Sequence, residues 1–275
     1  MSFYFDHGSN NLILKSTLFR GLPARHAFGT RWEDGLRLRA GCTGDPSAEE
    51  DPGRPPIIGD DGGLPGISAA WLRQVHSCHV VVARRGTGGT ESCQPAGGPA
   101  IPEYPPPADA LVSADAGLWL SVQTADCLPV LLFDPERGVA AAAHSGWRGT
   151  LGEITARTVR VMVGDFGASP GTIRAAVGPG IGGCCYRVGD DLASQFERRF
   201  PGSVVSPAPN PRLDLASCVR RTLEAAGLRP EHIDVCPLCT SCSPALFHSY
   251  RRDGEGAGRL YSGIMGTGVQ DVCRL

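Results

Sequence analysis

Three residues have the types that do chemistry. RQVHS carries His76, TADCLP carries Cys127 and AAAHSGWRG carries His144. Thiolate sulfur and imidazole nitrogen are ligands that zinc favours, and three protein ligands leave a fourth position for water or substrate. The same side chains support two other chemistries. Cys127 with a histidine base has the make-up of a cysteine nucleophile. One Cys with two His also suits copper, although no Met stands in these segments to supply the axial thioether of a blue-copper site. The three lie far apart in the chain, so no short ligand motif joins them, and buried or surface roles stay open beside the metal reading.

Further motifs divide between chemistry and plain structure. CPLCTSC places Cys236, Cys239 and Cys242 at CxxC spacing, which suits zinc or a redox pair. A structural zinc site wants four ligands, for which His248 is a candidate; otherwise these are reduced thiols in a turn, which is the expectation. Cys184 and Cys185 are neighbours, so their side chains are expected to point apart, with at most one facing any site. GPGIGGCC lacks the Lys and Ser/Thr of a P-loop and a clean Rossmann spacing. It reads as a turn that lets the backbone pass close to a neighbour. HSYRRDGEGAGR sets Arg251, Arg252 and Arg259 among glycines, where guanidinium groups grip a phosphate or sit in solvent. Arg148, in the segment that follows His144, is a similar candidate.

The elements that must position these residues are legible in part. LWLSVQTADC, PVLLFD and GVAAAAHSG each read as a buried strand ending in polar or small residues, where side chains meet a shared cleft. Residues 26–39 read as a strand and turn. Residues 69–83 read as a short helix or turn running into a strand with Val75, Val80, Val81 and Val82. LGEITARTVRVMVGDFG reads as a helix with Leu151, Ile154, Val161 and Met162 near one face, and IRAAVGPG as a strand entering a turn. Leu192, Phe196 and Phe200 form one helical stripe. Leu215, Val219 and Leu223 form another, with Asp214 as N-cap and Gly227 as the stop. Strands and helices mix without strict alternation, which favours a mixed α+β architecture over a doubly wound nucleotide fold.

Composition sets the outer limits. A chain of 275 residues is one large domain or two small ones, and 41% hydrophobic residues suffice for a sizeable core. A net charge of -2 argues against a basic nucleic-acid coat and an acidic solvating tail. No apolar run of about 18 residues occurs, so no membrane span is expected, and the N-terminus lacks the pattern of a signal peptide. The 11 cysteines are scattered rather than framed, which fits a reducing cytoplasm. Residues 40–66 and 84–107, rich in Gly and Pro, read as loops.

In order along the chain, QVH, TADCLPVLL, AHSGWRG, GPGIGGCCYRVG and SYRRDGEGAGR resemble the laccase-domain family of bacterial proteins named polyphenol oxidase or purine nucleoside phosphorylase. The likeness runs from about His26 to about Arg259, treating 1–275 as a single domain. It implies a four-layer α/β/β/α sandwich related to cysteine hydrolases. It also implies one zinc held by His76, Cys127 and His144, with copper as the alternative, and these three as the catalytic residues. The implied activity is phosphorolysis of adenosine, inosine and methylthioadenosine, with deamination of adenosine. Phenol oxidation with copper is the older assignment, and editing of cell-wall precursors has been suggested. The partners would then be a purine nucleoside and phosphate, with Arg148, Arg251 or Arg252 holding the phosphate, in a monomer or homodimer. The chain departs from its relatives at Arg187, where Glu is usual, and at Ser145, where Ala is commoner. It departs also in 40–66, where relatives carry a helix with an Asn-Arg pair, and in the 84–107 insertion.

Overall fold

The computed structural model describes residues 2–7, 12–31, 68–85, 91–95, 105–206 and 209–267. The 40–66 segment lies outside them. The first half of the chain is strand-rich: β1 (Phe3–His7), β2 (Leu12–Ser16), β3 (Ala24–Phe28), β4 (Ser68–Ala70), β5 (Val80–Arg85), β6 (Glu91–Pro95) and β7 (Ala110–Ser113). The middle holds β8 (Leu118–Thr124), β9 (Leu128–Asp134), β10 (Val139–Ser145), α1 (Trp147–Leu151), α2 (Ile154–Phe166) and β11 (Arg174–Val177). The rest adds α3 (Asp190–Arg199), β12 (Val204–Ser206), β13 (Arg212–Leu213), α4 (Leu215–Ala225), β14 (Ile233–Val235), α5 (Tyr250–Asp253) and β15 (Leu260–Gly266).

Among the described residues these strands make two large mixed sheets. One is six-stranded in the order β1-β2-β3-β15-β8-β4, the other seven-stranded in the order β14-β11-β9-β10-β7-β5-β6. The two sheets face each other across an apolar layer, and helices α2 and α4 cover the far side of the seven-stranded sheet. The central strands show why. β9 and β10 are buried along their whole length, so both faces must be apolar, and successive side chains go to opposite sides. Val130 and Leu132 of β9, with Ala141 and Ala143 of β10, point to the helices. Leu131, Phe133, Ala140 and Ala142 point to the six-stranded sheet. Each large apolar side chain buried this way contributes roughly 1.5–3 kcal/mol. The outer face of the six-stranded sheet gathers Ile13, Ala27, Ala69, Trp71, Trp119 and Met265.

The mixed α+β class and the strands at 118–124, 128–134, 139–145 and 174–177 agree with the sequence. So does α4, whose N-cap Asp214 accepts the Ser217 N–H at 3.0 Å, a bond worth about 1 kcal/mol. Gly227 just beyond it takes φ 95°, the left-handed geometry of a helix stop. Phe196 and Phe200 are buried as their stripe requires, while in α2 the buried residues are Ile154, Val159 and Met162, with Val161 and Leu151 at the margin. Two expectations hold only in part. In 69–83 the turn and the strand from Val80 form, without a helix; Ser68–Ala70 pairs in parallel with β8, and Val75 is exposed ahead of the strand. Part of 84–107 is not loop, because β6 pairs back on β5 with Ala83 opposite Cys93. β6 is an edge strand, a position that tolerates Pro. No helix among the described residues is long and apolar enough to cross a membrane.

Candidate active site

Strand register builds the site. β9 and β10 pair with Leu128 opposite Ser145. Cys127, one residue before β9, therefore falls beside Gly146, one residue after β10. β10 and β7 pair with Ala143 opposite Ala110. The next residues outward, His144 and Asp109, are neighbours too, and the His144 N–H donates to the Asp109 carbonyl at 2.8 Å. His76 arrives from the connection between β4 and β5.

The ligand atoms of His76, Cys127 and His144 all lie within 4.8 Å of one another. The two imidazoles meet edge to face with centroids 4.9 Å apart. His144 is buried, Cys127 half-buried and His76 exposed, so the cluster opens to solvent on the His76 side. Gly146 leaves room for it: a Cβ there would stand 2.9 Å from Cys127 Sγ and 3.3 Å from His76 Cδ2. Two nitrogens and a sulfur at this spacing can share one ion at bond lengths of about 2.0–2.3 Å, and they are the donor set zinc takes.

Asp109, which the sequence reading passed over, organises the cluster. Its side chain is fully buried. Its Oδ1 lies 2.8 Å from His144 Nδ1 and accepts the His76 N–H at 3.0 Å. Its Oδ2 accepts the Ser77 N–H at 2.6 Å, the Ser77 hydroxyl at 2.7 Å and the Val75 N–H at 3.3 Å. With Nδ1 engaged, His144 is left with Nε2 for Cys127 or an ion. The three successive N–H groups also account for His76 itself, whose φ of 57° is rare for a residue with a side chain. The available signal was an acid immediately ahead of a buried strand, in PADALVS, where burial demands a partner.

Asp126, at φ 89°, is the second strained residue at the site. Its carboxylate accepts the Thr240 hydroxyl at 2.6 Å and the Arg251 N–H at 2.6 Å, and its carbonyl accepts the Ile181 N–H at 2.8 Å. It ties two loops together beside Cys127.

Opposed effects tune the titrating groups. Burial pushes the Cys127 thiol up, but hydrogen bonds with His144 and His76 outweigh it and bring it to about 7. Burial pulls His144 down, but Asp109 and Cys127 outweigh that and raise it to about 9. Burial pushes Asp109 up, yet its bonds from His144 and Ser77 hold it below the ordinary carboxyl range. A thiolate facing an imidazolium is therefore accessible near neutral pH, and a metal ion would take the place of the proton.

The arginines separate. Arg148 is exposed, with its guanidinium 4.4 Å from the Trp147 ring. Arg251 donates through Nη1 to the Arg187 carbonyl at 2.9 Å and lies 5.3 Å from the Tyr186 ring. Arg252 is spoken for. Its guanidinium donates to the carbonyls of Thr240 at 2.9 Å, Ser241 at 3.2 Å and Phe247 at 2.9 Å, and to the Asp253 carboxylate. These bonds hold a loop together. Arg259 likewise donates to the Ala257 carbonyl of its own loop at 3.2 Å.

Residues 58–267 match the family described as multi-copper polyphenol oxidoreductase laccase. The chain belongs to that family. A purine nucleoside phosphorylase of Deinococcus radiodurans is 48% identical to it over 157 residues, 57% of this chain and 60% of that protein. Adenosine deaminase RL5, of an unknown prokaryotic organism, is 37% identical over 161 residues, 57% of this chain and 61% of that protein. The chain thus spans about three fifths of the length of these two curated relatives. The crystal structure of YlmD from Geobacillus stearothermophilus matches with a TM-score of 0.70 at 28% identity, covering 96% of this chain and 99% of that chain.

Beside the cluster, this laccase-family chain places one more residue the sequence reading left without a role. Tyr186 is half-buried, and burial followed by the nearby Cys127 pushes its phenol up to about 12, so it is a neutral hydrogen-bond donor at physiological pH. The glycine-rich turn behaves as expected: a Cβ on Gly180 would stand 2.9 Å from the Asp126 carbonyl. The thiols of CPLCTSC are free, as expected, but the adjacent Cys184 and Cys185 do not face apart. Cys236 turns into the core between the sheets, and His248 packs against Gly258. Cys239 and Cys242 instead face both Cys184 and Cys185. Neighbouring cysteines at a tight turn need not diverge as they would on a strand.

Proposed function

We propose that this chain is a single-domain purine nucleoside enzyme that works with zinc held by His76, Cys127 and His144. The observation that carries the reading is the pair of imidazoles and the thiol within 4.8 Å of one another, backed by a buried carboxylate 2.8 Å from His144. Zinc in such a site supplies Lewis acidity and lowers the pKa of water to about 7. The names of the two curated relatives support a nucleoside as the substrate. The reactions are phosphorolysis of adenosine, inosine and methylthioadenosine, and deamination of adenosine. In phosphorolysis the bond from C1′ to N9 breaks, a phosphate oxygen bonds C1′, and the purine leaves with a proton. In deamination water replaces the amino group at C6 and ammonia departs. Arg251 and Arg148 hold the phosphate, since both have guanidinium donors to spare. Tyr186 offers its hydroxyl to the substrate, and Asp109 keeps both imidazoles oriented without touching it. The free thiols of the nine described cysteines are in keeping with a cytoplasmic location.

A second reading has its own support. Cys127, His144 and Asp109 are ordered as nucleophile, base and orienting acid, the arrangement of a cysteine hydrolase. The family's description keeps copper oxidation of phenols as a third. One set of assays separates them. Protein loaded with zinc, copper or neither is given adenosine with and without phosphate, and a phenol. Adenine and ribose 1-phosphate, formed with zinc and phosphate and stopped by a chelator, support the proposal. Activity that resists the chelator and yields to alkylation indicates the hydrolase. Phenol oxidation with copper alone indicates the oxidase. No turnover by homogeneous zinc-loaded protein would sink the enzyme reading in favour of a binding or editing role.

A further inference from the structure

A second group of side chains, remote in sequence from the first, is assembled as a metal site. Cys184 and Cys185 leave the turn after β11, and Cys239 and Cys242 leave the connection after β14. β11 and β14 are parallel neighbours, so the two turns run side by side, bridged at Gly180 and Cys239. The Thr240 N–H donates to the Gly180 carbonyl at 3.0 Å. The four sulfur atoms all lie within 4.8 Å of one another, with Cys242 Sγ 3.4 Å from Cys184 Sγ and 3.2 Å from Cys185 Sγ. Sulfurs bound tetrahedrally at about 2.3 Å stand about 3.8 Å apart, close to what is seen here. All four are free thiols.

The surroundings of Cys239 favour a thiolate. The Gly182 N–H donates to Cys239 Sγ at 3.2 Å, a bond that favours the ionised sulfur. A Cβ on Gly182 would stand 3.3 Å from Cys184 Sγ and from Cys239 Cβ, so the turn packs closely over the cluster. Arg212 donates to the Cys184 carbonyl at 3.1 Å, and Arg252 donates to the carbonyls of Thr240 and Ser241. Two cations therefore flank a site that becomes negative when its thiols ionise. Cys184 and Cys242 are exposed while Cys239 is buried, giving an ion a way in and a fixed floor.

We propose that Cys184, Cys185, Cys239 and Cys242 bind one zinc ion in a closed tetrathiolate site, distinct from the His76–Cys127–His144 cluster. The donors are soft sulfur, which excludes magnesium and calcium. The protein fills all four positions, which marks a structural centre. On binding, each thiol gives its proton to solvent and no electron moves. The ion staples the 178–186 turn to the 239–252 loop. Both strands of that staple rest on Asp126, through Ile181 on one side and Thr240 and Arg251 on the other, so the centre stiffens the wall beside Cys127.

Metal content tests this independently of catalysis. Zinc-loaded protein, prepared in reductant and desalted, is expected to retain two zinc ions per chain. Cys127→Ala is expected to retain one, and Cys127→Ala with Cys239→Ser and Cys242→Ser none. Cobalt in the Cys127→Ala protein should give intense sulfur-to-metal charge-transfer absorption that the triple variant lacks. Cys184→Ser, at an exposed position, is the gentler change if the triple variant fails to fold. It should lower zinc affinity at least about tenfold against a chromophoric chelator. A Cys127→Ala protein that holds no zinc, or whose four cysteines react freely with a thiol reagent after zinc loading, overturns the assignment. So does a disulfide among them in reductant. Because Cys127→Ala silences the first cluster, failure of the nucleoside reading leaves these readouts unchanged.

Discussion

Asp109 Oδ1 lies 2.8 Å from His144 Nδ1, with both side chains almost fully buried. One carboxylate thereby fixes the ring of one candidate ligand, and through the N–H of His76 at 3.0 Å it fixes the backbone of another.

Replacing Asp109 should therefore act through its neighbours. Asp109→Asn keeps the shape and loses the charge, and metal affinity should fall about 10- to 100-fold, read by chelator competition. Asp109→Ala should in addition destabilise the fold, by about 1–3 kcal/mol, since it removes the acceptor of the Val75, His76 and Ser77 N–H groups. An Asn variant with unchanged affinity would remove Asp109 from the site's machinery.

Gly146→Ala isolates the steric demand of the cluster. Gly146 has φ -79°, which any residue adopts, so the backbone is not strained by the change. The added Cβ meets Cys127 Sγ at 2.9 Å. Metal affinity and nucleoside turnover should drop together, about tenfold or more, while the melting temperature barely moves. A variant that binds metal normally would show that Cys127 is free to shift.

The two neighbouring arginines should part company. Arg251→Ala should raise KM for phosphate and leave the fold intact, because its exposed side chain gives up one bond, to Arg187, and its contact with Tyr186. Arg252→Ala should lower stability by about 1–3 kcal/mol, because three carbonyls and Asp253 lose their donor. Steady-state kinetics at varied phosphate and denaturant unfolding read the two effects. The reverse pattern would exchange their roles.

His26 predicts the acid limb of stability. Burial, and then the charge of Lys15, hold its pKa down to about 3, and its Nε2 accepts the Ser16 N–H at 2.9 Å. The folded chain keeps this ring neutral where the unfolded chain, with a pKa near 6.5, takes up a proton. Between about pH 6.5 and 3 the unfolded state binds more protons, so stability falls as pH falls. The slope approaches about 1.4 kcal/mol per pH unit once the unfolded histidine is protonated. Above about pH 6.5 the contribution is constant. Unfolding at pH 7 and pH 5 should show a loss of about 2 kcal/mol from this ring, which His26→Gln should remove. Equal losses in both proteins would assign the acid sensitivity elsewhere.

Much of this protein is written in short-range pattern. The uninterrupted apolar runs of β9 and β10 announced strands buried on both faces. The stripe of Leu215, Val219 and Leu223 between Asp214 and Gly227 announced α4 with both ends. Cys127 and His144 stood out because they sit at the ends of such strands, His76 because it precedes one, and motif order pointed to the family. β4 was not legible, since three small or polar residues become a strand only by pairing with β8. β6, in a Gly/Pro-rich stretch, needed β5 for the same reason.

What local pattern could not say is which residues stand opposite one another. Asp109 and His144 meet because β7 and β10 pair in one register of several possible. Cys184 and Cys185 meet Cys239 and Cys242 because β11 and β14 lie side by side. Side-chain periodicity is a property of each segment and survives in the sequence; strand partnership is a choice among segments, settled only when both sheets bury their faces together.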